Sequence, residues 1–451
     1  MRMPSLFRLL KPAALALLVV VLAAQSARAQ IFDPDTFMLE NGMQVVVISN
    51  DRAPVVRHMV WYKVGSADEA PGESGIAHLL EHLMFKGTTN YGPGVFSSQV
   101  ARNGGQENAF TSFDYTAYHQ TIARDRLAMV MKMEADRMTN LVISEQQVAP
   151  ERNVVLEERR SRVDNNPSMQ LREQVSAAMY LNYPYRRPVI GWEHEIRALD
   201  VGRILAFYKR YYAPNNAVLI VEGDVTVEEL KPLAEKYYGA IPRGPEIERI
   251  RTTEPPASAD RRIVLEHERV TQPSWSRRYL APSYRYGESE HAYALQVLSE
   301  IIGGGASSRL HKRLVLDDAI ALSAGAFYGA DDLGPATFGF YAAPKPGVPM
   351  DKIEATVMAE VAKVLKDGIT EKELTGAVAR MRDNAVLARD DFGTAARVFG
   401  STLTTGGTVG EVENWLERID DVTVESVSVA AEYVLDGTHH VTAELLAKPR
   451  S

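Results

Sequence analysis

Cysteine is absent from all 451 residues. A chain without thiols forms no disulfide and offers no thiolate, so any metal it binds must be held by imidazole and carboxylate. With only ten histidines present, few places qualify. Long apolar runs are also missing. Apart from Ala13–Ala24, which is too short to span a bilayer, no segment approaches the ~20 apolar residues of a membrane-crossing helix. Basic residues are in the minority, 50 against 58 acidic.

What is present at the start is a leader pattern. Arg2, Arg8 and Lys11 precede the apolar run, and Ala27-Arg28-Ala29 follows it, which predicts a signal peptide over residues 1–29 and cleavage before Gln30. Its removal leaves 46 basic and 58 acidic residues, a formal charge of −12. The expectation is an exported, periplasmic protein with no stable membrane insertion. Its acidic surface argues against nucleic acid as a partner.

The length exceeds what one compact core usually holds. A stretch rich in proline and charge, containing Thr252-Thr253-Glu254-Pro255-Pro256-Ala257-Ser258, reads as a linker over 243–262, between domains at 30–242 and 263–451. The halves echo each other: Asp200-Val201, Tyr212, Asn215-Asn216 and the run Val218–Glu222 recur 221 residues later as Asp421-Val422, Tyr433, Asp436-Gly437 and a run near Val441. The pattern favours a duplicated domain. Strand and helix signals are mixed without regular alternation, so the fold class is α+β, each half a mostly antiparallel sheet packed with helices. In the first half, strands are predicted at Gln44–Ile48, His58–Val64 and Asn108–Thr121, and helices at Gly75–Lys86, Val95–Asn103, Asp125–Leu141 and Pro150–Val163. Leu127, Val130, Met131, Met138 and Leu141 fall at helical spacing and read as core packing.

Chemistry concentrates in Ser74-Gly75-Ile76-Ala77-His78-Leu79-Leu80-Glu81-His82-Leu83-Met84-Phe85-Lys86-Gly87. Ser74 is a good N-cap and Gly87 a good terminator. At about 100° per residue, His78, Glu81 and His82 project from one face. Imidazoles at i and i+4 can share a cation, and the carboxylate at i+3 can take a proton from water on it. The same three residues could also form the polar stripe of a half-buried helix. A third ligand would come from Pro150-Glu151-Arg152-Asn153-Val154-Val155-Leu156-Glu157-Glu158, with Pro150 placed in the first turn. Glu151 and Glu158, seven apart, share a face, and Glu157 points elsewhere. Either could complete a His2Glu set and the other orient a ligand, although a Glu/Arg run also describes a solvated helix face. His194, His267, His439 and His440 lack a second histidine at helical spacing and read as surface or structural residues.

These residues resemble peptidase family M16, the zinc metallopeptidases that include pitrilysin, insulin-degrading enzyme and the β subunit of mitochondrial processing peptidase. The resemblance rests on His78-Leu79-Leu80-Glu81-His82-Leu83-Met84-Phe85-Lys86-Gly87-Thr88, Asn108-Ala109-Phe110-Thr111-Ser112-Phe113-Asp114-Tyr115-Thr116 and Glu151-Arg152-Asn153-Val154-Val155-Leu156-Glu157-Glu158. Tyr183-Pro184-Tyr185-Arg186-Arg187-Pro188 and Gly303-Gly304-Gly305-Ala306-Ser307-Ser308-Arg309-Leu310 extend it over the mature chain. It implies one Zn2+ per chain on His78, His82 and Glu158, Glu81 as the catalytic base, and Glu151 behind the ligands. It also implies a peptide substrate added as a strand along Asn108, Ala109 and Phe110. Phe85 would line the pocket for the residue after the scissile bond; packing of its helix is an equal alternative.

One departure stands out. Active members carry an Arg and, seven residues on, a Tyr that bind the substrate carbonyl; the matching positions here are Val315 and Leu322. Neither side chain donates a hydrogen bond. The resemblance therefore implies a half-size catalytic subunit working with a homologous M16 subunit that supplies Arg and Tyr. The competing functions are a structural or assembly subunit of the same fold and a zinc-dependent binding protein without turnover. Assembly relatives usually lose the HxxEH set, which this chain keeps; only an activity assay separates the binding protein.

Overall fold

The computed structural model describes residues 31–448, so the expected leader lies outside the described residues. Among these, eleven strands form two sheets. The first contains β1 (Asp35–Met38), β2 (Gln44–Ser49), β3 (Val55–Tyr62), β4 (Gln106–Thr111), β5 (Thr116–Ala123) and β6 (Ala217–Gly223), in the order β1-β2-β6-β3-β5-β4. The second contains β7 (Arg261–His267), β8 (Ser274–Ala281), β9 (Ala321–Tyr328), β10 (Ala336–Pro344) and β11 (His440–Ala447), in the order β7-β11-β8-β10-β9. Without β1 the two orders trace the same path. In each, the last strand pairs in parallel with the first, β2 with β6 and β7 with β11, and every other pair is antiparallel. The duplication read from the sequence is thus a repeated topology. Its register differs slightly: Asp200 caps the helix Val201–Tyr211 before β6, whereas Thr423, not Asp421, caps Val424–Leu435 before β11.

The halves exchange a helix. Strand β2 is apolar at four successive positions because both its faces are covered. Val45 and Val47 enter the core of the first half, while Val46 and Ile48 pack with Phe399 and Leu403 of the helix Thr394–Thr404 from the second half. Gly400 permits that approach, since a Cβ there would lie 2.0 Å from the Trp61 ring. Glu222, buried at the end of β6, accepts from the N–H groups of Gly393 at 2.8 Å and Ala396 at 3.0 Å, placing a carboxylate at the positive end of that helix. Reciprocally, the helix Pro167–Met179 of the first half packs Leu171, Val175 and Met179 on Val441, Ala443 and Leu445 of β11. At ~1.5–3 kcal/mol for each fully buried aliphatic side chain, this exchange ties the halves together.

Residues 242–260 carry neither helix nor strand, yet they are fastened. Arg251 pairs with Asp68 at 2.5 Å and Asp114 at 3.0 Å, and Glu254 accepts from the N–H groups of Leu181 at 2.6 Å and Tyr183 at 2.7 Å.

Two predicted elements need correction. Asn108–Thr121 is not one strand but the hairpin β4–β5, closed where Ser112 N–H donates to Tyr115 O at 2.8 Å. The turn is disguised by Phe113 and Tyr115, strand formers whose rings pack instead against Tyr185, tilted, and Trp61, edge to face. The helix expected from Pro150 begins at Glu145, with Ser144 and Gln147 in a capping box, so Pro150 lies inside it. The stripe from Leu127 to Leu141 is buried throughout, as expected.

Candidate metal centre and substrate cleft

The helix carrying the HxxEH residues spans Ile76–Leu83 and stops short of Lys86. Its cap is not Ser74. Gly75 occupies that position with φ 89°, and the N–H groups of Gly75 and Ala77 donate to Glu69 at 3.1 Å, while Ser74 Oγ accepts from Trp192 N–H at 2.9 Å. A carboxylate six residues upstream does what a serine hydroxyl was expected to do. Burial pushes the Glu69 carboxyl well up, against the pull of those N–H donors. The apolar face, with Ile76, Leu79, Leu80 and Leu83, is fully buried in the first core. That anchoring turns His78, Glu81 and His82 together toward the helix Glu145–Arg159.

Donor atoms of His78, His82 and Glu158 all lie within 4.8 Å of one another. Glu158 Oε2 is 3.2 Å from His82 Nε2 and 3.7 Å from His78 Nε2. Donors held ~2.1 Å from a tetrahedral ion stand ~3.4 Å apart, so this spacing suits zinc. Glu151, one heptad earlier, takes His82 from behind: its Oε1 is 3.0 Å from His82 Nδ1, and its Oε2 is 2.5 Å from Lys86 Nζ. The ambiguity between the two glutamates is thereby resolved in space. Glu157 is 66% exposed and pairs with Arg160, away from the cluster.

Electrostatics at the site are set by burial. Desolvation, then the neighbouring charge of His82, hold the His78 imidazole below its usual range and favour the neutral ring a metal requires. Burial works on His82 in the same direction, but its bonds to Glu158 and Glu151 outweigh it and raise that ring. Burial raises the Glu81 carboxyl, opposed by a 2.6 Å hydrogen bond from Thr111 Oγ1. Thr111 was not singled out from the sequence, where only its place in the Asn108–Thr116 motif marked it. Arg162, 2.7 Å from Glu158 Oε1, was also missed, although its i,i+4 spacing signalled it.

A cleft of about 910 Å³ opens over these groups and is lined by Phe85, Asn108, Ala109 and Phe110. Strand β4 is the outermost strand of its sheet, so one backbone edge faces outward. Asn108 Oδ1 accepts from Ala109 N–H at 2.9 Å and blunts that edge. Phe85 lines the cleft and also packs on the first core beneath the Arg137 guanidinium. Val315 is half-buried against the second core and Leu322 is 51% exposed on β9, so neither position offers a hydrogen bond to a substrate. His194 is 82% exposed, and His439 and His440 lie 3.2 and 3.1 Å from Asp260, outside the cluster.

Comparison with known proteins agrees with this geometry. Residues 44–193 match the family described as Insulinase (Peptidase family M16), and residues 198–381 match the Peptidase M16 inactive domain. The chain is 31% identical over 424 residues to the zinc protease PqqE of Helicobacter pylori, covering 93% of this chain and 94% of that protein. It is similar in structure to a protease from Helicobacter pylori, with a TM-score of 0.83, 29% identity and coverage of 92% and 99% of the two chains. It also resembles the periplasmic protease PqqL of Escherichia coli, with a TM-score of 0.81, 20% identity and coverage of 93% of this chain but 48% of that one. The two-sheet α+β fold, the buried HxxEH helix and these likenesses together place the chain in peptidase family M16.

Proposed function

We propose that this chain is a zinc-dependent endopeptidase acting on peptides or unfolded polypeptides. The observation that carries the reading is the convergence of His78, His82 and Glu158 beside Glu81, under a sheet edge that is open to an added strand. Zinc, when bound, would supply Lewis acidity to a peptide carbonyl and to a water molecule. The rest falls to this chain's own residues. His78, His82 and Glu158 hold the ion, and Glu151 fixes the orientation of the His82 ring. Glu81, its carboxyl raised by burial, accepts a proton from the attacking water and returns it to the leaving amine. The edge of β4 aligns the substrate backbone once Asn108 releases the Ala109 N–H. The test is metal content and turnover of an unfolded peptide by purified protein. A chain that carries about one zinc and cuts supports the reading; one that carries zinc and never cuts, with or without a homologous subunit, removes it.

On this reading residues 30–242 form the metal-holding half, 243–262 connect, and 263–451 form the second half. Residues 1–29 act as a leader that sends the protein to the periplasm. No helix among the described residues is long and apolar enough to cross a membrane. The apolar pair Val315 and Leu322 makes this chain the metal-bearing member of a heterodimer, the other member supplying the Arg and Tyr.

A further inference from the structure

Glu81 is anchored at a single point. Its side chain is buried, and among the described residues its only hydrogen-bond partner is Thr111, whose Oγ1 donates to Oε2 at 2.6 Å. His82, by contrast, is held from two sides, by Glu151 and by Glu158. An ionised carboxylate can only accept, so the direction of the Thr111 bond is fixed. Oε1 is the oxygen left over for the water that a base must deprotonate.

Thr111 is itself firmly mounted. It is the last residue of β4 and faces Thr116, the first residue of β5, across the hairpin. Both lie on the side of the sheet where Ala109 and Tyr118 meet the first core. Thr116 is fully buried, and its Oγ1 donates to Val64 O at 3.0 Å and lies 3.4 Å from Thr111 Oγ1. The Tyr212 hydroxyl bonds Thr116 from behind and is 3.0 Å from the Tyr118 hydroxyl. Just past Thr111 the backbone is pinned as well: the N–H groups of Ser66 and Ala67 donate to the carbonyls of Ser112 and Phe113 at 3.0 and 2.8 Å. A hydroxyl carried on this corner has little freedom to wander. Valine would fill the same space, so packing does not call for threonine here; the bond to Glu81 does.

We infer that Thr111 is a positioning residue for the base: by holding Glu81 Oε2 it turns Oε1 toward the space between His78, His82 and Glu158, and Thr116 keeps Thr111 in place. The inference rests on the peptidase reading and adds to it a residue that works through Glu81. A base in the wrong orientation slows the chemical step and leaves substrate binding alone.

Two substitutions separate the hydroxyl from the space it fills. Thr111→Val removes it at nearly constant volume, and Thr111→Ser keeps it. With the full zinc-loaded chain and a quenched fluorescent peptide, Thr111→Val should lower kcat by about 10- to 100-fold, the worth of a hydrogen bond to a charged group, with KM within about twofold. Zinc content should not change, and Thr111→Ser should restore kcat to within about threefold of the wild type. Added to Glu81→Gln, Thr111→Val should cost nothing more, because its effect passes through the carboxylate. Crystal structures of the variants give a reading that needs no turnover: Glu81 in one conformation in the wild type and Thr111→Ser, and displaced or spread over several in Thr111→Val. Thr111→Ala takes the place of valine if valine disturbs the hairpin. Unchanged kcat in Thr111→Val, a loss confined to KM, an equal loss with serine, a further loss on top of Glu81→Gln, or an unmoved Glu81 overturns the inference. A wild-type chain that holds zinc and never cuts removes the peptidase reading instead, and the Glu81 conformation alone then decides whether Thr111 positions it.

Discussion

Glu151 Oε1 lies 3.0 Å from His82 Nδ1, on the side of the ring opposite Glu158. With Nδ1 donating to Glu151, the ring presents Nε2, which faces Glu158, to a metal. Glu151→Gln should therefore keep the fold and weaken zinc affinity by about 10- to 100-fold, measured by competition with a chelator. Unchanged affinity would reduce Glu151 to a partner of Lys86.

The three proposed ligands should behave alike. His78→Ala, His82→Ala and Glu158→Gln are each expected to lose most of the metal by elemental analysis, whereas Glu157→Gln, on a side chain turned to solvent, should retain it. Zinc retained in Glu158→Gln and lost in Glu157→Gln would contradict the helix register.

Glu81→Gln separates metal binding from catalysis. The amide keeps the shape and can still bond Thr111, but it cannot accept a proton from water. Zinc content should stay at the wild-type level while turnover falls by about a hundredfold or more. Near-normal turnover would leave the general base unassigned.

Much of this site was legible because helical geometry converts spacing directly into position. Residues i, i+3 and i+4 around His78 had to share a face, and the heptad from Glu151 to Glu158 had to return to it. What spacing could not decide was which glutamate met the histidines, since that depends on how two helices dock. The missed features have the same origin. Glu69 caps the helix in place of Ser74 because the chain before Gly75 turns back on itself, and the β4–β5 turn is hidden by aromatic residues that pack sideways. The helix exchange between the halves was beyond reach as well: Val46 and Phe399 lie far apart in sequence, and nothing local marks them as partners.

Asp332 offers a test of a different kind. Burial, followed by the charges of Asp114 and Asp331, raises its carboxyl to about 7. A raised acid is protonated in the folded state at pH values where the unfolded chain has already ionised. Its cost is absent below the unfolded pKa near 3.8 and grows as pH rises toward 7. Asp332→Asn should therefore raise the melting temperature by several degrees at pH 8, and the gain should vanish near pH 4. An equal gain at both pH values would show that ionisation of Asp332 is not its source.

Val315 and Leu322 leave the cleft without a carbonyl-directed donor of their own. A peptide carbonyl polarised in the transition state gains from donors aimed at its oxygen, and losing such donors typically costs ~3–4 kcal/mol, a hundredfold or more in rate. Val315 is packed against the second core and Leu322 projects from β9 into solvent, so no small shift of either supplies a donor. A homodimer would only repeat the deficiency. The isolated chain should turn over an unfolded peptide slowly, and adding a homologous subunit that carries the Arg and Tyr should raise the rate by about a hundredfold. Mutating that partner's Arg and Tyr should return the mixture to the slow rate while complex formation, followed by size-exclusion chromatography, persists. Placing Arg and Tyr at Val315 and Leu322 tests the same idea within one chain, although the half-buried position of Val315 makes that variant the harder one to fold. Full activity from the isolated chain, indifferent to any partner, would mean that the metal or other cleft residues polarise the carbonyl without help.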